Sequence, residues 1–398
     1  MTKGILFYFN WILFIIYSKI IFKIERFLYK RIGNKKIKRR LFLTSGNISL
    51  INILTILKQF PEENCEDILV IDTMSGKKEF FDINFKAAQM HNFKKIIINI
   101  HYRDNRPYFA IMRKNLFYID EIYAHTKPDY LRYIFPLFKD CKIVMFDEGI
   151  NSVMEVPSPY NNLVSEVKMM KYCGKIDKIG WNHAKYINPD INIFREIATE
   201  ITNKYPFDVK LPPESKTILF LGSYWQAFNM TEKEFYEYQD NIIKKLLNNG
   251  FSVLYKQHPR EVQSREIPQG VIKTNCLLPI ELYNIDILGV VSISSSASLQ
   301  MYNYWNIPGF VSINDKTCNV KEKISGIDLT KLAAKQYVPD IEELLKIDAN
   351  KYSKEELKTM LKEIFQKKID SQPMLSENPI ILDYYKRYAE KEYAKYKK

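Results

Sequence analysis

Cysteine is sparse in this chain of 398 residues, and its five copies stand at Cys65, Cys141, Cys173, Cys276 and Cys318. The number is odd and no two have metal-ligand spacing, which argues against a disulfide framework and against a zinc module. Reduced thiols in a cytoplasmic setting are the expectation. Internal repeats and low-complexity segments are missing as well, so neither a solenoid nor a biased tail is expected. No helix-turn-helix, zinc or RNA-binding signature is present, and aromatic residues are not interleaved with the basic tract near the start. The formal charge of +13 therefore does not by itself imply nucleic acid, and none is expected as a partner. Surplus lysine is usually a solvated surface, so the location of the charge matters more than its size.

What is present is globular: 46% hydrophobic and 26% charged residues are not the composition of a disordered chain, and the length calls for two domains. Much of the basic excess lies at the front. Gly4 to Phe22 is apolar and aromatic, interrupted by Asn10 and Lys19, and a run of Lys and Arg from Lys23 to Arg40 follows. The apolar stretch is marginal for a spanning helix, which needs about 20 residues. No small-residue cleavage site follows it, which argues against a removable signal. Three arrangements remain: a helix in the membrane interface, a single span, or a helix packed on the protein. An apolar aromatic face beside clustered cations fits an anionic cytoplasmic leaflet. The expectation is a cytoplasmic protein associated with the inner face of the cell membrane. Whether residues 5–22 lie on the bilayer or span it stays open; if they span it, the basic flank remains cytoplasmic.

Beyond this segment, near-continuous apolar runs alternate with helical patterns, which predicts parallel strands covered on both faces. Strands are expected at Arg40–Thr44, Asp67–Asp72, Lys94–Ile100, Glu121–His125 and Lys142–Phe146, and again at Thr217–Leu221, Phe251–Tyr255, Gly270–Lys273, Ile287–Ser292 and Gly309–Ile313. Val153 to Tyr205 reads as less regular, with Trp181 and His183 as packing or loop residues. Asp208 to Lys216 holds Pro212-Pro213 and few apolar residues, the pattern of a linker. The expected layout is residues 1–39 as membrane-associating helix and basic tract, 40–207 as a first Rossmann-like domain, 208–216 as linker, 217–375 as a second Rossmann-like domain, and 376–398 as a helix long enough to cross back. Two α/β halves of this kind describe an enzyme with a cleft between its sheets.

Four short motifs fall at predicted strand tips, where parallel α/β sheets bind ligands. His258-Pro259 ends the strand at Phe251–Tyr255, because proline cannot extend the ladder. Its histidine, between Lys256 and Arg260, suits an anionic group such as a phosphate; the plainer reading is a surface histidine closing a strand. Asp147-Glu148-Gly149 ends a strand of the first half. Its carboxylates repel, which poises one as a general base, although alone it reads as a polar turn. Ser294-Ser295-Ser296 hands a strand to a helix, where serines cap and free amides attract an anion. Glu281 in Leu278-Pro279-Ile280-Glu281 is placed to accept a ribose's hydroxyls, or to face a helix dipole.

The order of these motifs, acidic pair in the first half and then His-Pro, Glu and serine cluster in the second, resembles the bacterial sialyltransferases of the two-domain GT-B fold. The likeness is to the capsular polysialyltransferases and lipooligosaccharide sialyltransferases, and it covers about Arg40 to Ile313. Three adjacent serines leave the register of the serine motif open. The resemblance implies a GT-B-like fold with two Rossmann-like domains facing a central cleft, the first for acceptor and the second for nucleotide sugar. It also implies transfer of sialic acid, with inversion, from CMP-sialic acid to a glycan hydroxyl in capsule or lipooligosaccharide synthesis. Glu148, or Asp147, would take the acceptor proton. His258 would meet the departing phosphate, with Ser294, Ser295 and Ser296 around its oxygens. Lys256, Pro259 and Glu281 would hold the rest of the nucleotide. No Asp-x-Asp motif is present, and no metal or other cofactor is expected. His101 and Arg103 could touch an anionic acceptor, although a solvated basic loop is the plainer reading of that segment. The alternatives are another GT-B glycosyltransferase using CMP-Kdo or a UDP-sugar, a non-enzymatic basic protein binding polysaccharide or nucleic acid, and a structural subunit of a capsule export assembly.

Overall fold

The computed structural model describes Ile20, Ile24, Phe138 and residues 37–44, 46–72, 84–99, 119–125, 141–146, 161–223, 225–228, 230–258, 266–276, 278–293, 295–313 and 329–396. These divide into two units. The first holds the described residues up to Phe146 together with 161–169 and 182–189; the second holds 170–181 and everything from Asp190 onward.

The first unit is built on β1 (Lys38–Thr44), helix α1 (Asn47–Gln59), β2 (Cys65–Asp72), β3 (Lys95–Asn99), β4 (Glu121–His125), β5 (Lys142–Phe146), β6 (Val164–Lys168) and β7 (Lys185–Ile187). The strands form one sheet in the order β3-β2-β1-β4-β5-β6-β7, and every pairing is parallel. Leu41, Phe42 and Leu43 in β1 and Ile143 to Phe146 in β5 are fully buried, as the unbroken apolar runs require of strands covered on both faces. The strands β6 and β7 lie in a stretch that the sequence pattern presents as irregular. Glu166 and Lys168 interrupt the apolar run of β6, and the sheet accommodates Glu166 by pairing it with Lys142 at 2.8 Å.

Charge is concentrated at the amino-terminal edge of this sheet. Arg40 of β1 is buried and donates through Nε and one Nη to the two Asp67 oxygens at 2.7 and 2.8 Å, and His91 Nε2 lies 2.7 Å from Asp67 Oδ2. Glu121 is flanked by Lys38 at 2.8 Å and Lys142 at 3.4 Å. A buried pair of this geometry adds little net stability, but breaking it strands a charge. Asp67→Asn is therefore expected to cost about 3 kcal/mol, read as a lower urea midpoint. The pH dependence has a definite sign. Burial alone would raise the Asp67 carboxyl, but its bonds to His91 and Arg40 outweigh burial and hold it below the ordinary carboxylate value. A depressed carboxylate stabilises the fold above its unfolded value of about 4, and that contribution is lost as pH falls through the lower folded value. Wild-type protein should lose stability more steeply than Asp67→Asn below about pH 4.

The second unit opens with α2 (Ile191–Lys204) and continues through β8 (Thr217–Leu221), α3 (Glu232–Asn248), β9 (Ser252–Lys256), β10 (Ile272–Thr274), β11 (Gly289–Ser292), α4 (Ala297–Trp305) and β12 (Gly309–Val311). The helices α5 (Leu329–Tyr337), α6 (Ile341–Leu345), α7 (Lys354–Asp370) and α8 (Pro379–Tyr396) follow. Its five strands are all parallel, in the order β10-β9-β8-β11-β12. α3 starts at a capping box in which Thr231 and Glu234 satisfy each other's backbone amides. It lays Ile242, Ile243 and Leu246 on the sheet, while Phe235 packs with Phe228 and Ile293. α2 lies inside the stretch whose sequence pattern is irregular. Its start is nonetheless written in the sequence, where Asp190 caps the Asn192 amide and Phe194, Ile197, Ala198 and Ile201 make one buried face.

No helix among the described residues is long and apolar enough to cross a membrane. The apolar stretch at 5–22 lies outside the described residues apart from Ile20.

Candidate functional site

The order of the second sheet places a topological switch at β8. Successive strands β9 and β10 lie on one side of it, and β11 and β12 on the other. Crevices outside the carboxyl ends of strands at such a point are where open α/β sheets hold ligands. Because every strand is parallel, the tips of β8, β9 and β11 share that edge.

The tip of β8 is Gly222-Ser223. The Gly222 amide donates to the Lys256 carbonyl at 2.9 Å, which extends the β8–β9 ladder by one residue. A Cβ on Gly222 would stand 2.5 Å from the Tyr255 hydroxyl and 3.2 Å from the His258 amide nitrogen. Glycine is required here for close approach. Gly222→Ala is expected to push the Tyr255 ring or the His258 backbone aside and destabilise the protein by about 2 kcal/mol, measured by thermal unfolding.

The tip of β9 carries Lys256, Gln257 and His258. His258 is partly exposed; Pro259 lies outside the described residues. The Lys256 ammonium turns along the edge and donates to the Cys276 carbonyl at 3.0 Å. There it acts electrostatically on Glu281, which sits on a single 3-10 turn, Ile280–Leu282. Burial pushes the Glu281 carboxyl up, while its own backbone amide and Lys256 pull it down. Burial likewise pushes the Cys276 thiol up, against the nearby Lys256 charge; this thiol donates to the Leu278 carbonyl at 3.3 Å and is not poised as a nucleophile. The fold thus brings Lys256 and Glu281 into one neighbourhood.

At the tip of β11, the serines divide their work in a way the sequence does not show. Ser292, the last residue of the strand, is buried; its hydroxyl accepts from the Ser295 amide at 2.9 Å and lies 3.0 Å from the Ser298 hydroxyl. The Ser295 hydroxyl accepts from the Ala297 amide at 3.2 Å. Ser296 is the N-cap residue of α4 by position, yet its side chain makes no capping bond. Of the two described serines of the cluster, Ser295 and not Ser296 bonds an amide of the first helical turn. Ser292 and Ser298, which no motif singled out, tie the loop together. Their placement six residues apart around the cluster was the only available sign.

Asp147, Glu148, Gly149, Ser294, His101 and Arg103 lie outside the described residues. Within the described residues the arrangement offers, on one sheet edge, an imidazole, an ammonium beside a half-buried carboxyl, and a serine-lined helix start. Those groups suit an anion and a vicinal diol. Among the described residues no cluster of three or more His, Cys, Asp or Glu side chains is arranged to hold a metal ion.

Residues 40–314 match the family model described as alpha-2,8-polysialyltransferase. No curated protein matches the chain. Among solved structures, a UDP-N-acetylglucosamine 2-epimerase from Rickettsia bellii is similar with a TM-score of 0.50 at 12% identity, over 89% of this chain and 98% of that one. The wall teichoic acid polymerase TagF gives 0.46 at 12% identity over 92% of each chain, and MurG from Acinetobacter baumannii gives 0.41 at 10% identity over 88% and 99%. At 12% identity the likeness to the epimerase shows the fold alone, in keeping with the two parallel-sheet α/β units.

Proposed function

The chain belongs to the alpha-2,8-polysialyltransferase family and is a glycosyltransferase; from that premise we propose that it moves sialic acid from CMP-sialic acid to a glycan hydroxyl with inversion, in capsule or lipooligosaccharide synthesis. The observation that carries the proposal is the family match across 40–314, which spans every one of the four strand-tip motifs.

The reaction needs three things from the protein. The acceptor hydroxyl is a weak nucleophile, and Glu148, assisted or replaced by Asp147, takes its proton as the new bond to the anomeric carbon forms. The bond from that carbon to the CMP phosphate breaks through an oxocarbenium-like state, and CMP leaves with the electron pair and one more negative charge. His258 donates to the leaving phosphate, and the amides and hydroxyls around Ser294, Ser295 and Ser296 hold its oxygens. Glu281 accepts the ribose hydroxyls, and Lys256 and Pro259 hold the rest of the nucleotide. The leaving charge is met by imidazole and backbone, so the chemistry runs without a metal. His101 and Arg103 contribute to holding an anionic acceptor. The apolar start and its basic flank hold the enzyme at the cytoplasmic face of the inner membrane, where such an acceptor is built.

The test is nucleotide release by the purified chain offered CMP-sialic acid, CMP-Kdo and UDP-sugars in turn, each with a sialylated oligosaccharide and each with and without EDTA. Acceptor-dependent release of CMP from CMP-sialic acid, unchanged by EDTA, is the expected result. Release only from CMP-Kdo or a UDP-sugar, or loss of activity in EDTA, contradicts it.

A further inference from the structure

The helix α4 meets the proposed donor site at both ends. Its first turn follows Ser295 and Ser296. Its last residue, Trp305, donates its indole N–H to the backbone oxygen of Glu281 at 2.9 Å. Within the 3-10 turn, the Pro279 and Ile280 carbonyls are taken by the Leu282 and Tyr283 amides at 3.2 and 3.0 Å. The Glu281 carbonyl is taken by Trp305, so the backbone that aims the carboxyl is set by a residue of α4.

The helix itself is clamped. Arg195 of α2 donates through Nε to the Tyr304 carbonyl and through an Nη to the Asn303 carbonyl at 3.4 Å. A guanidinium there satisfies carbonyls that the helix leaves open at its end and complements its dipole. The neighbouring Phe194 ring stacks on Tyr304 with centroids 4.1 Å apart. The Cys173 amide donates to the Asn303 side-chain oxygen at 2.9 Å. Toward the other end, Gly309 of β12 lies so close to Ser298 that a Cβ would overlap its backbone.

We propose that α4 is a rigid strut that sets the Glu281 carboxyl in register with Ser295 and Ser296, with Trp305 and Arg195 as its positioning residues, so that the ribose and the phosphate of one nucleotide are read together. The proposal rests on the donor reading given above. It explains why a tryptophan and an arginine outside the strand-tip motifs are both engaged at the carboxyl end of one short helix. Freeing Trp305 loosens the ribose contact alone; freeing Arg195 loosens the whole strut.

Calorimetric titration of the full-length purified protein with CMP, 2′-deoxy-CMP and cytidine tests it. Trp305→Phe keeps the ring and deletes the donor. It should lower the preference for CMP over 2′-deoxy-CMP about fivefold, the worth of one hydrogen bond, and leave the preference for CMP over cytidine unchanged. On a Glu281→Gln background the same substitution should add nothing to that ratio. Arg195→Met should lower both preferences, whereas Arg195→Lys, which keeps one donor on Tyr304, should restore them; this pair carries the test if Trp305→Phe does not fold. A folded Trp305→Phe protein with the wild-type ribose preference overturns the strut, as do two Arg195 variants that behave alike. A wild-type enzyme that transfers sialic acid but binds 2′-deoxy-CMP as well as CMP also overturns it and leaves the donor reading intact. A wild-type enzyme that binds no CMP overturns the donor reading itself.

Discussion

Replacing His258 with alanine is expected to lower the rate of sialyl transfer by about 10²–10³-fold, the loss seen when one donor to a developing oxyanion is removed. The phosphate of CMP-sialic acid is a diester with a single charge and acquires a second as the bond to sugar breaks. A donor aimed at those oxygens bonds more strongly in the transition state than in the ground state, and only such a difference speeds the chemical step. The loss should therefore fall on kcat, with KM for the donor changed little. His258→Asn retains an N–H donor and should recover part of the rate. His258 follows the end of a well-packed strand and is partly exposed, so the melting temperature of both variants should stay near that of wild type. A His258→Ala enzyme with wild-type kcat would remove the imidazole from the chemistry.

Glu148→Gln should have an effect of similar or greater size and a different character. A general base contributes about 10²–10⁴-fold, and an amide of the same shape has no proton affinity to offer. Transfer should fall by that range while the affinity for CMP stays within about twofold, because the substitution leaves the nucleotide's partners in place. The acid limb of the pH–rate profile should vanish in the variant, since it reports protonation of the base. Asp147→Asn under the same conditions decides between the two neighbours. If Asp147→Asn loses the acid limb and Glu148→Gln keeps it, the base is Asp147.

The two sheets were legible because their central strands are buried on both faces and so appear as unbroken runs, Leu41-Phe42-Leu43 in one and Ile218-Leu219-Phe220 in the other. His258 could be placed at a strand tip because Pro259 ends the ladder chemically. What could not be read is whatever depends on residues meeting across the sequence. The order β10-β9-β8-β11-β12, which puts His258 and Ser295 on either side of β8, leaves no local trace. The neighbourhood of Lys256 and Glu281 arises only when β9 and the 3-10 turn converge. Strand β6 escaped notice because Glu166 and Lys168 break its apolar pattern; the partners that make them tolerable, Lys142 for the carboxylate and the rings of Phe60 and Tyr123 for the ammonium, come from other elements. α2 is a different case. Its cap and its apolar face were both present in the sequence, and they were masked only by the irregular segment in which they sit.

The measurement that bears most directly on the central claim follows a radiolabelled sialyl residue from CMP-sialic acid onto a sialylated oligosaccharide. Purified wild-type protein should lengthen the acceptor and release CMP in equal amount, and His258→Ala and Glu148→Gln, folded and able to bind CMP, should transfer almost none. Label that stays on the nucleotide with every acceptor, or label that moves equally well in both variants, would contradict the account.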